Sequence, residues 1–491
     1  MMGITIIGLG PGDSQMITRQ AWEILLEADT VYLRTERHPV VPELPEQTRF
    51  VSFDRFYESC TEFNAVYEEI VDELLRLARA ADEDGSHIVY AVPGHPMVGE
   101  STVSALISAA RVHGITIKIV PGLSFMEPVL TALGLDALDG LQLFDAIEVA
   151  QYNHPPLSSE MPLLLGQVFN RMLASELKLA LMNLYPDEHE VMLVHNAGMA
   201  SLMIENLPLY SIDRSDSLTH LTCLFVPPLP FTNTLQTFAE TVAILRGPNG
   251  CPWDQEQTHL SLRNGFLEES SEVLTALDEE DHEALCEELG DVLYHLVMQA
   301  QIASELGEFK LADVISGIDN KLKHRHPHVW GDLEVENSKE VIRNWEFIKD
   351  REKIGVSKQP SLLDNVPTSL PALARAQKIQ DRVKRVGFDW PSITGVEGKV
   401  QEEISELKSA DSQEERRYEF GDLLFAVVNW ARWLDIDAEA ALREANLRFS
   451  RRFRYIEQLA GERGLELIDL DLDALEALWD EAKRFTQTDK F

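Results

Sequence analysis

Two near-copies of one acidic pattern occupy the C-terminal half of this 491-residue chain. The first reads Glu268-Glu269-Ser270-Ser271-Glu272, followed by Glu288-Leu289-Gly290-Asp291. The second reads Glu402-Glu403-Ile404-Ser405-Glu406, followed by Glu419-Phe420-Gly421-Asp422. Acids three residues apart share a helix face, so the chain must build the same helical unit twice. Four carboxylates gathered at one point suit a hard divalent cation, and Mg²⁺ in turn suits a substrate with phosphates. A solvated acidic face is the simpler explanation of any single copy in a chain with 82 acidic and 43 basic residues. Two copies with matching Gly-Asp endings argue for metal binding instead.

The apolar stripes sharpen this expectation. Phe266, Val273 and Leu277 form one stripe, and Leu285, Leu289, Val292 and Leu296 form its partner. Glu269, Glu272, Glu288 and Asp291 each precede a stripe position by one residue. Glu403, Glu406, Glu419 and Asp422 do the same before Ile404, Leu407, Phe420 and Leu423. One residue is about 100° of turn, which predicts that every acid flanks one edge of its core face.

Downstream of each acidic set lies a basic cluster: Lys321 to His328 with Arg325 in the first unit, and Arg448, Arg451 and Arg452 in the second. Cations near a metal site suit a triphosphate tail; the plain alternative is a basic face that balances the acidic surface. His324, His326 and His328 alternate at a spacing that does not match helical zinc ligation. Trp253 and Trp390 stand in loops ahead of the metal helices, placed to stack on a base or to pack under the loop.

The first 230 or so residues read differently. Ile4–Ile7, Val31–Leu33, His87–Val92 and Thr116–Val120 are predicted strands; Trp22–Ala28, Phe63–Ala80 and Ser101–Val112 are predicted helices. This alternation predicts a largely parallel sheet in a two-lobed α/β domain, the lobes joined near Pro121. Gly8-Leu9-Gly10-Pro11-Gly12 follows a strand, as phosphate and nucleotide loops do, without Rossmann or Walker spacing. Val226 to Pro230 marks the expected end of the domain. The expected layout is 1–228 for this domain, 232–356 for the first helical unit, 357–368 for a linker and 369–491 for the second unit. The fold class is therefore a two-lobed α/β domain followed by an all-α half.

A net charge of −39 repels nucleic acid and anionic membrane. Cys60, Cys223, Cys251 and Cys286 form no Cys-x-x-Cys pair and read as free thiols of a reducing cytoplasm. No signal peptide or membrane span is expected.

At its acidic patterns the chain resembles the MazG family of nucleoside triphosphate pyrophosphohydrolases, over about residues 232–491. Cys251-Pro252-Trp253-Asp254, Arg325-His326-Pro327-His328 and Val386-Gly387-Phe388-Asp389-Trp390 carry further signatures. The resemblance implies hydrolysis of NTP to NMP and pyrophosphate with Mg²⁺, or Mn²⁺ in its place. It implies Glu269, Glu272, Glu288 and Asp291 as metal ligands in one unit, and Glu403, Glu406, Glu419 and Asp422 in the other. Glu268 and Glu402 would orient or ligate the attacking water; Trp253, Lys321, Arg325, Trp390, Arg448, Arg451 and Arg452 would meet the nucleotide. The stronger arginine cluster favours the second unit for turnover.

The glycine loop, Pro93-Gly94-His95-Pro96 with Gly99, Pro121-Gly122-Leu123-Ser124 and Leu163 to Val168 resemble the tetrapyrrole methylase family over about residues 1–228. That implies a site for S-adenosylmethionine lined by Pro11, Gly94, His95, Val98, Ser124 and Val168. The family's usual Gly-Asp-Pro is Gly94-His95-Pro96 here, which leaves the aspartate's role to histidine or to nothing. The order of the parts resembles the YabN type of fusion. The leading reading is an NTP pyrophosphohydrolase acting as a homodimer. The alternatives are an S-adenosylmethionine-dependent methyltransferase, or a nucleotide- or S-adenosylmethionine-sensing scaffold without turnover.

Overall fold

The computed structural model describes residues 3–59, 63–84, 87–352, 361–364 and 366–488. Part of the expected linker, 357–360 and Asn365, and Cys60 lie outside these residues. The chain forms two compact units, Met1–Gln255 and Glu256–Phe491. Strands are numbered β1 to β10, and helices of eight residues or more α1 to α15.

The first lobe holds β1 (Gly3–Gly8), β2 (Thr30–Leu33), β3 (Arg49–Ser52), β4 (Ile88–Val92) and β5 (Thr116–Val120), with α1 (Arg19–Glu27), α2 (Phe63–Asp84) and α3 (Ser101–Val112). The strands lie in the order β3-β2-β4-β1-β5, and every pairing is parallel. β4 is buried along its whole length, as expected of a strand covered on both faces. The chain then passes through α4 (Met126–Leu133) to β6 (Gln142–Asp145), β7 (Leu163–Gly166), α5 (Arg171–Leu181), β8 (Glu190–His195), β9 (Met203–Pro208) and β10 (Thr222–Val226). Here the order is β6-β7-β10-β8-β9. Only β6–β7 is parallel; β7–β10, β10–β8 and β8–β9 are antiparallel. The expectation of a largely parallel sheet therefore holds for the first lobe alone. The turn 196–202 between β8 and β9 is too short for the crossover that parallel pairing requires.

The first unit continues past β10. Glu160 accepts the backbone N–H groups of Asn233 (2.7 Å) and Thr234 (2.8 Å), and Ser159 Oγ donates to Asn233 Oδ1 at 2.8 Å. Thr234 caps α6 (Leu235–Arg246). Trp253 belongs to this unit.

The second unit is helical. It holds α7 (Arg263–Glu279), α8 (His282–Leu306), α9 (Leu311–Arg325) and α10 (Ser338–Arg351), then α11 (Ala372–Lys384), α12 (Ile393–Ser409), α13 (Gln413–Trp433), α14 (Ala438–Glu462) and α15 (Leu472–Thr488). Asp281 caps α8 by accepting from Glu283 and Ala284. Ser412 and Glu415 form a capping box at the start of α13, so both long helices begin at a defined residue. Arg443 of α14 donates to Asp278 of α7 at 3.0 Å and ties the repeats together. No helix among the described residues is long and apolar enough to cross a membrane.

Candidate functional site

The acids do gather, and Glu403 lies deeper than the expected edge of its core face. On α12 the inward positions are Val396, Val400 and Glu403, and Glu403 is only 4% exposed. On α7 Ala276 is buried, while Phe266 and Leu277, assigned to the stripe from sequence, are exposed. On α8 Glu288 and Val292 are half-buried and His295 is buried, whereas Leu289 and Leu296 face outward. Glu403 thus lies on the inward face itself, while Glu269 and Glu288 are half-buried, as are Val273 and Val292. The expected stripe holds in part: Val273, Leu285, Val292, Ile404, Leu407 and Leu423 are half-buried, whereas Phe266, Leu277, Leu289, Leu296 and Phe420 are exposed.

In the first repeat, carboxylate oxygens of Glu269, Glu272 and Glu288 lie within 4.8 Å of one another; in the second, those of Glu403, Glu406 and Glu419 do the same. Asp291 and Asp422 act on these groups through their charge. Burial, a hydrogen bond shared with Glu272, and the charges of Asp291, Glu272 and Glu288 hold Glu269 above its ordinary pKa. Burial and the neighbouring acids raise Glu288 likewise. Burial and the charges of Glu406, Glu403 and Asp422 raise Glu419, with Lys399 opposing. Acids that raise one another's pKa are short of a cation. Glu403 Oε2 is buried with no hydrogen-bond partner in the protein. An all-carboxylate donor set with such an orphaned oxygen fits a hard divalent ion.

The repeats differ beside these acids. One turn before Glu403 stands Lys399, whose Nζ lies 2.8 Å from Glu403 and 2.9 Å from Glu402. One turn before Glu269 the first repeat has Gly265. A Cβ placed there would lie 2.9 Å from His295 Cε1. His295 is 7% exposed, and its counterpart in the second repeat is Ala426. The second repeat has a cavity of about 730 Å³ at this place, lined among others by Lys399, Glu403, Asp422, Ala426, Phe388 and Trp390. Sequence reasoning missed Lys399, Gln380 and Arg432 and gave Asp389 only within a family signature; all four line this cavity, and the Lys399/Gly265 difference was readable by aligning the repeats. Asp389 Oδ1 accepts from Arg432 (2.6 Å), Trp433 Nε1 (3.1 Å) and its neighbour's backbone Trp390 N–H (2.9 Å). This fixes the Phe388–Trp390 loop.

The other expected site residues have these places. Glu268 is exposed, and Glu402 pairs with Lys399. Lys321 is exposed. Arg325 pairs with Glu352 at 2.6 Å, and Arg448 with Glu444 at 3.3 Å. Arg451 faces Glu279 at 4.0 Å, and Arg452 lies over the Trp479 ring. Glu352, Glu444, Glu279 and the Trp479 ring all lie outside the two acidic sets. Trp253 is exposed on the first unit.

In the first unit three loops interlock. A Cβ on Gly8 would lie 2.4 Å from Gly94 O and 2.8 Å from Gly122 Cα, so only glycine fits there. Gly10 and Gly94 exchange backbone hydrogen bonds of 3.3 and 2.9 Å. Pro11 and Ser124 are buried beside them, and Gly99 meets Gln167, next to buried Val168. Pro11, Gly94, His95, Val98, Ser124 and Val168 thus come from loops that converge. His95 Nδ1 accepts the Met97 N–H at 3.0 Å, which is the turn-closing bond an aspartate would make. Glu100, buried, accepts from Arg34 at 2.7 Å and anchors the end of this loop. Under the glycine loop sits His38, whose pKa burial pushes down to about 4 against a hydrogen bond with Gly10.

Residues 3–213 match the family of tetrapyrrole (corrin/porphyrin) methylases, and residues 257–330 match the MazG nucleotide pyrophosphohydrolase domain. Together with the geometry, these define the class: a methylase-type α/β unit joined to MazG-type helical repeats. The chain is 42% identical over 489 residues to the uncharacterized protein YabN of Bacillus subtilis (strain 168), covering 98% of each. It is 48% identical over 246 residues to the nucleoside triphosphate pyrophosphohydrolase of Escherichia coli (strain K12), 49% of this chain and 93% of that protein. To the nucleoside triphosphate pyrophosphohydrolase/pyrophosphatase MazG of Thermotoga maritima it is 43% identical over 254 residues, 51% of this chain and 97% of that one. The chain belongs to the family of YabN-type fusions of a tetrapyrrole methylase domain with MazG domains.

Proposed function

We propose that this protein is a Mg²⁺-dependent nucleoside triphosphate pyrophosphohydrolase, with Mn²⁺ as a substitute ion, and that its second helical repeat carries the turnover. The observation that carries this reading is the cavity beside Glu403, Lys399 and Asp422, at a place where the first repeat has Gly265 close against the buried ring of His295. Its relatives named nucleoside triphosphate pyrophosphohydrolase span both repeats.

In this reading Glu403, Glu406, Glu419 and Asp422 hold the ion in the second repeat, and Glu269, Glu272, Glu288 and Asp291 hold one in the first. A bound divalent ion neutralises phosphate charge and lowers the pKa of water. Water splits the α–β anhydride: its oxygen joins phosphorus, its proton passes to a carboxylate, and pyrophosphate leaves with the bridging oxygen. Glu402 orients that water, as Glu268 would in the first repeat. Lys399 lines the cavity with Glu403 and Asp422, and in this reading it exchanges its carboxylate partners for phosphate oxygens. Trp390 and Phe388 supply apolar walls for the base.

Leu289, Leu293 and Leu296 on α8, and Phe420, Leu424 and Val427 at the equivalent places on α13, are all exposed. No residue of α9 is buried. Such repeated bare apolar faces support a homodimer, and Lys321, Arg325, Arg448, Arg451 and Arg452 are the cations proposed to meet the triphosphate. The first unit binds S-adenosylmethionine at the converging loops, with His95 keeping the turn. The acidic surface and the free thiols Cys223, Cys251 and Cys286 fit the cytoplasm.

Pyrophosphate release from a panel of NTPs with Mg²⁺ tests the reading. Glu403→Gln should lower kcat/KM roughly 10²-fold, and Glu269→Gln should leave it within about threefold. Full activity in Glu403→Gln, or the reverse ranking, rejects it. Calorimetry with S-adenosylmethionine tests the first unit, where no heat at millimolar ligand rejects donor binding.

A further inference from the structure

Helix α11 presents two different faces. Ile379, Gln380 and Val383 line the cavity beside Glu403. Lys378, Asp381, Arg382, Lys384 and Arg385 line a second, open cavity of about 460 Å³. At about 100° per residue, Lys378, Arg382 and Arg385 fall on one stripe, on the far side of the helix from Gln380 and Val383. Lys378, Lys384 and Arg385 are exposed, and Arg382 is half-buried. Arg382 Nη1 donates to Leu362 O at 3.3 Å. Among the described residues, the ammonium groups of Lys378 and Lys384 have no hydrogen-bond or ion-pair partner.

Four cations against one carboxylate run counter to a chain with 82 acidic and 43 basic residues. The simplest account is that basic side chains answer the negative end of the helix dipole. That covers Arg382 and Lys384 in the last turn, but not Lys378, which precedes it. Nor does the repeat require a basic face here. The helix ahead of the first acidic set, α6, carries Arg246 as its one cation and Glu240 as its one acid. With the two helix ends aligned, Glu240, Ala243 and Ile244 stand where α11 has Lys378, Asp381 and Arg382.

The lining also states the chemistry of the ligand. All five side chains are charged, and none is aromatic or purely aliphatic. Nothing there holds a nucleobase or a lipid chain. The net charge of −39 repels a long polyanion. A small, dense oligoanion remains, for which guanidinium forks and lysine point charges are the fitting donors. We propose that the outer face of α11 is a second phosphate site, which binds inorganic pyrophosphate through Lys378, Arg382, Lys384 and Arg385. The choice of pyrophosphate rests on the nucleotide reading, since the proposed reaction releases it; the anion site itself does not.

Pyrophosphate is titrated by calorimetry into the full-length protein in EDTA, so that no metal draws it to the acids. It should bind with a dissociation constant below about 1 mM at low ionic strength. Inorganic phosphate, with a single phosphoryl group, should bind at least about fivefold more weakly. Combining Lys378→Gln with Lys384→Gln should weaken pyrophosphate binding about tenfold, while Lys399→Met, in the other cavity, should leave it within about twofold. Thermal transitions show that the variants are folded. If the paired variant is not, Lys378→Gln alone decides, with an expected loss of about threefold. No heat in the wild type overturns the site. Equal affinity for phosphate and pyrophosphate, or full binding in the folded lysine variant, also overturns it. Loss of binding in Lys399→Met alone places the anion in the nucleotide cavity and overturns it likewise. A protein that releases no pyrophosphate from any NTP, yet binds it through Lys378 and Lys384, would sink the nucleotide reading and leave this site standing.

Discussion

Replacing Arg432 by methionine removes the cation from a closed ion pair and leaves a carboxylate stranded behind the cavity. Arg432 and Asp389 are almost wholly out of solvent, with side-chain exposures of 5% and 13% and a contact of 2.6 Å. Arg432 also donates twice to Asn429 Oδ1, at 3.0 and 2.7 Å. Burial by itself raises the pKa of Asp389, but the hydrogen bonds from Arg432, Trp433 and Trp390 and the charge of Arg432 more than offset it, so its pKa lies below the ordinary value. Breaking a buried pair by removing one partner costs about 3–5 kcal/mol. Asp389 keeps its Trp433 and Trp390 donors, so the low end, about 3 kcal/mol, is expected. For a unit of this size that lowers the melting temperature by roughly 6–12 °C. Adding Asp389→Asn to Arg432→Met removes the stranded charge and should recover most of the loss, leaving about 1 kcal/mol. Urea unfolding of the wild type, both single variants and the double variant measures the cycle. The same series should weaken nucleotide binding in the order of lost stability, since Asp389 holds the loop that carries Phe388 and Trp390. A cost below about 0.5 kcal/mol in Arg432→Met, or no recovery in the double variant, would refute the account of a charge kept neutral by a single partner.

Gly265→Ala should destabilise the second unit by about 1–3 kcal/mol through overlap with the His295 ring, and His295→Ala should relieve it; denaturant midpoints of the two variants and their combination check this. His38 gives the first unit an acid limit. Its pKa falls from 6.5 in the unfolded chain to about 4 in the folded one, so the unfolded chain binds the extra proton. The stability it supports is intact above pH 6.5 and lost as the pH drops toward 4, by about 3 kcal/mol in total. His38→Asn should flatten the stability profile of the first unit across that window, and an unchanged slope would exclude His38 as its source. Cys223 is buried and its pKa is pushed up to about 12, so Ellman's reagent should reach Cys286, which is exposed, and leave Cys223 unmodified until the protein unfolds. Chelation with EDTA should abolish pyrophosphate release, and added Mg²⁺ should restore it.

Much of this was legible in the chain. Ser101–Val112 and Thr116–Val120 carry helix and strand patterns so regular that their ends coincide with the structure. The acidic sets gathered because the three-residue spacing acts through the helix backbone alone. What stayed hidden depended on partners distant in sequence. β10 pairs antiparallel with both β7 and β8, and nothing in Thr222–Val226 announces its direction. The stripe offset failed in part for a related reason. Leu289 and Leu296 were read as core and are exposed, whereas Glu288 beside them is half-buried and the buried positions are His295, Val297, Met298 and Ile302.

That inversion is itself the argument for a ligand. A helix that draws its glutamates partly inward and leaves leucines outside gains nothing as an isolated structure, because taking a carboxylate from water is unfavourable and exposing leucine forfeits burial. Both costs recur at equivalent positions of the two repeats: Glu269 with Glu403, Glu288 with Glu419, and Leu289 with Phe420. The inward acids become favourable when a cation occupies their centre, and the outward apolar face when another helix covers it. The repeats then part company at two positions only one helical turn from their acids. Lys399 and Ala426 line a cavity and Lys399 brings a positive charge; Gly265 brings none and lies close against the buried His295 ring. The same scaffold is thus expected to bind metal twice and nucleotide once. Calorimetry with Mn²⁺ and with a non-hydrolysable NTP analogue should return twice as many metal-binding centres as nucleotides per chain. Equal numbers of nucleotides and centres would show that His295 does not close the first repeat.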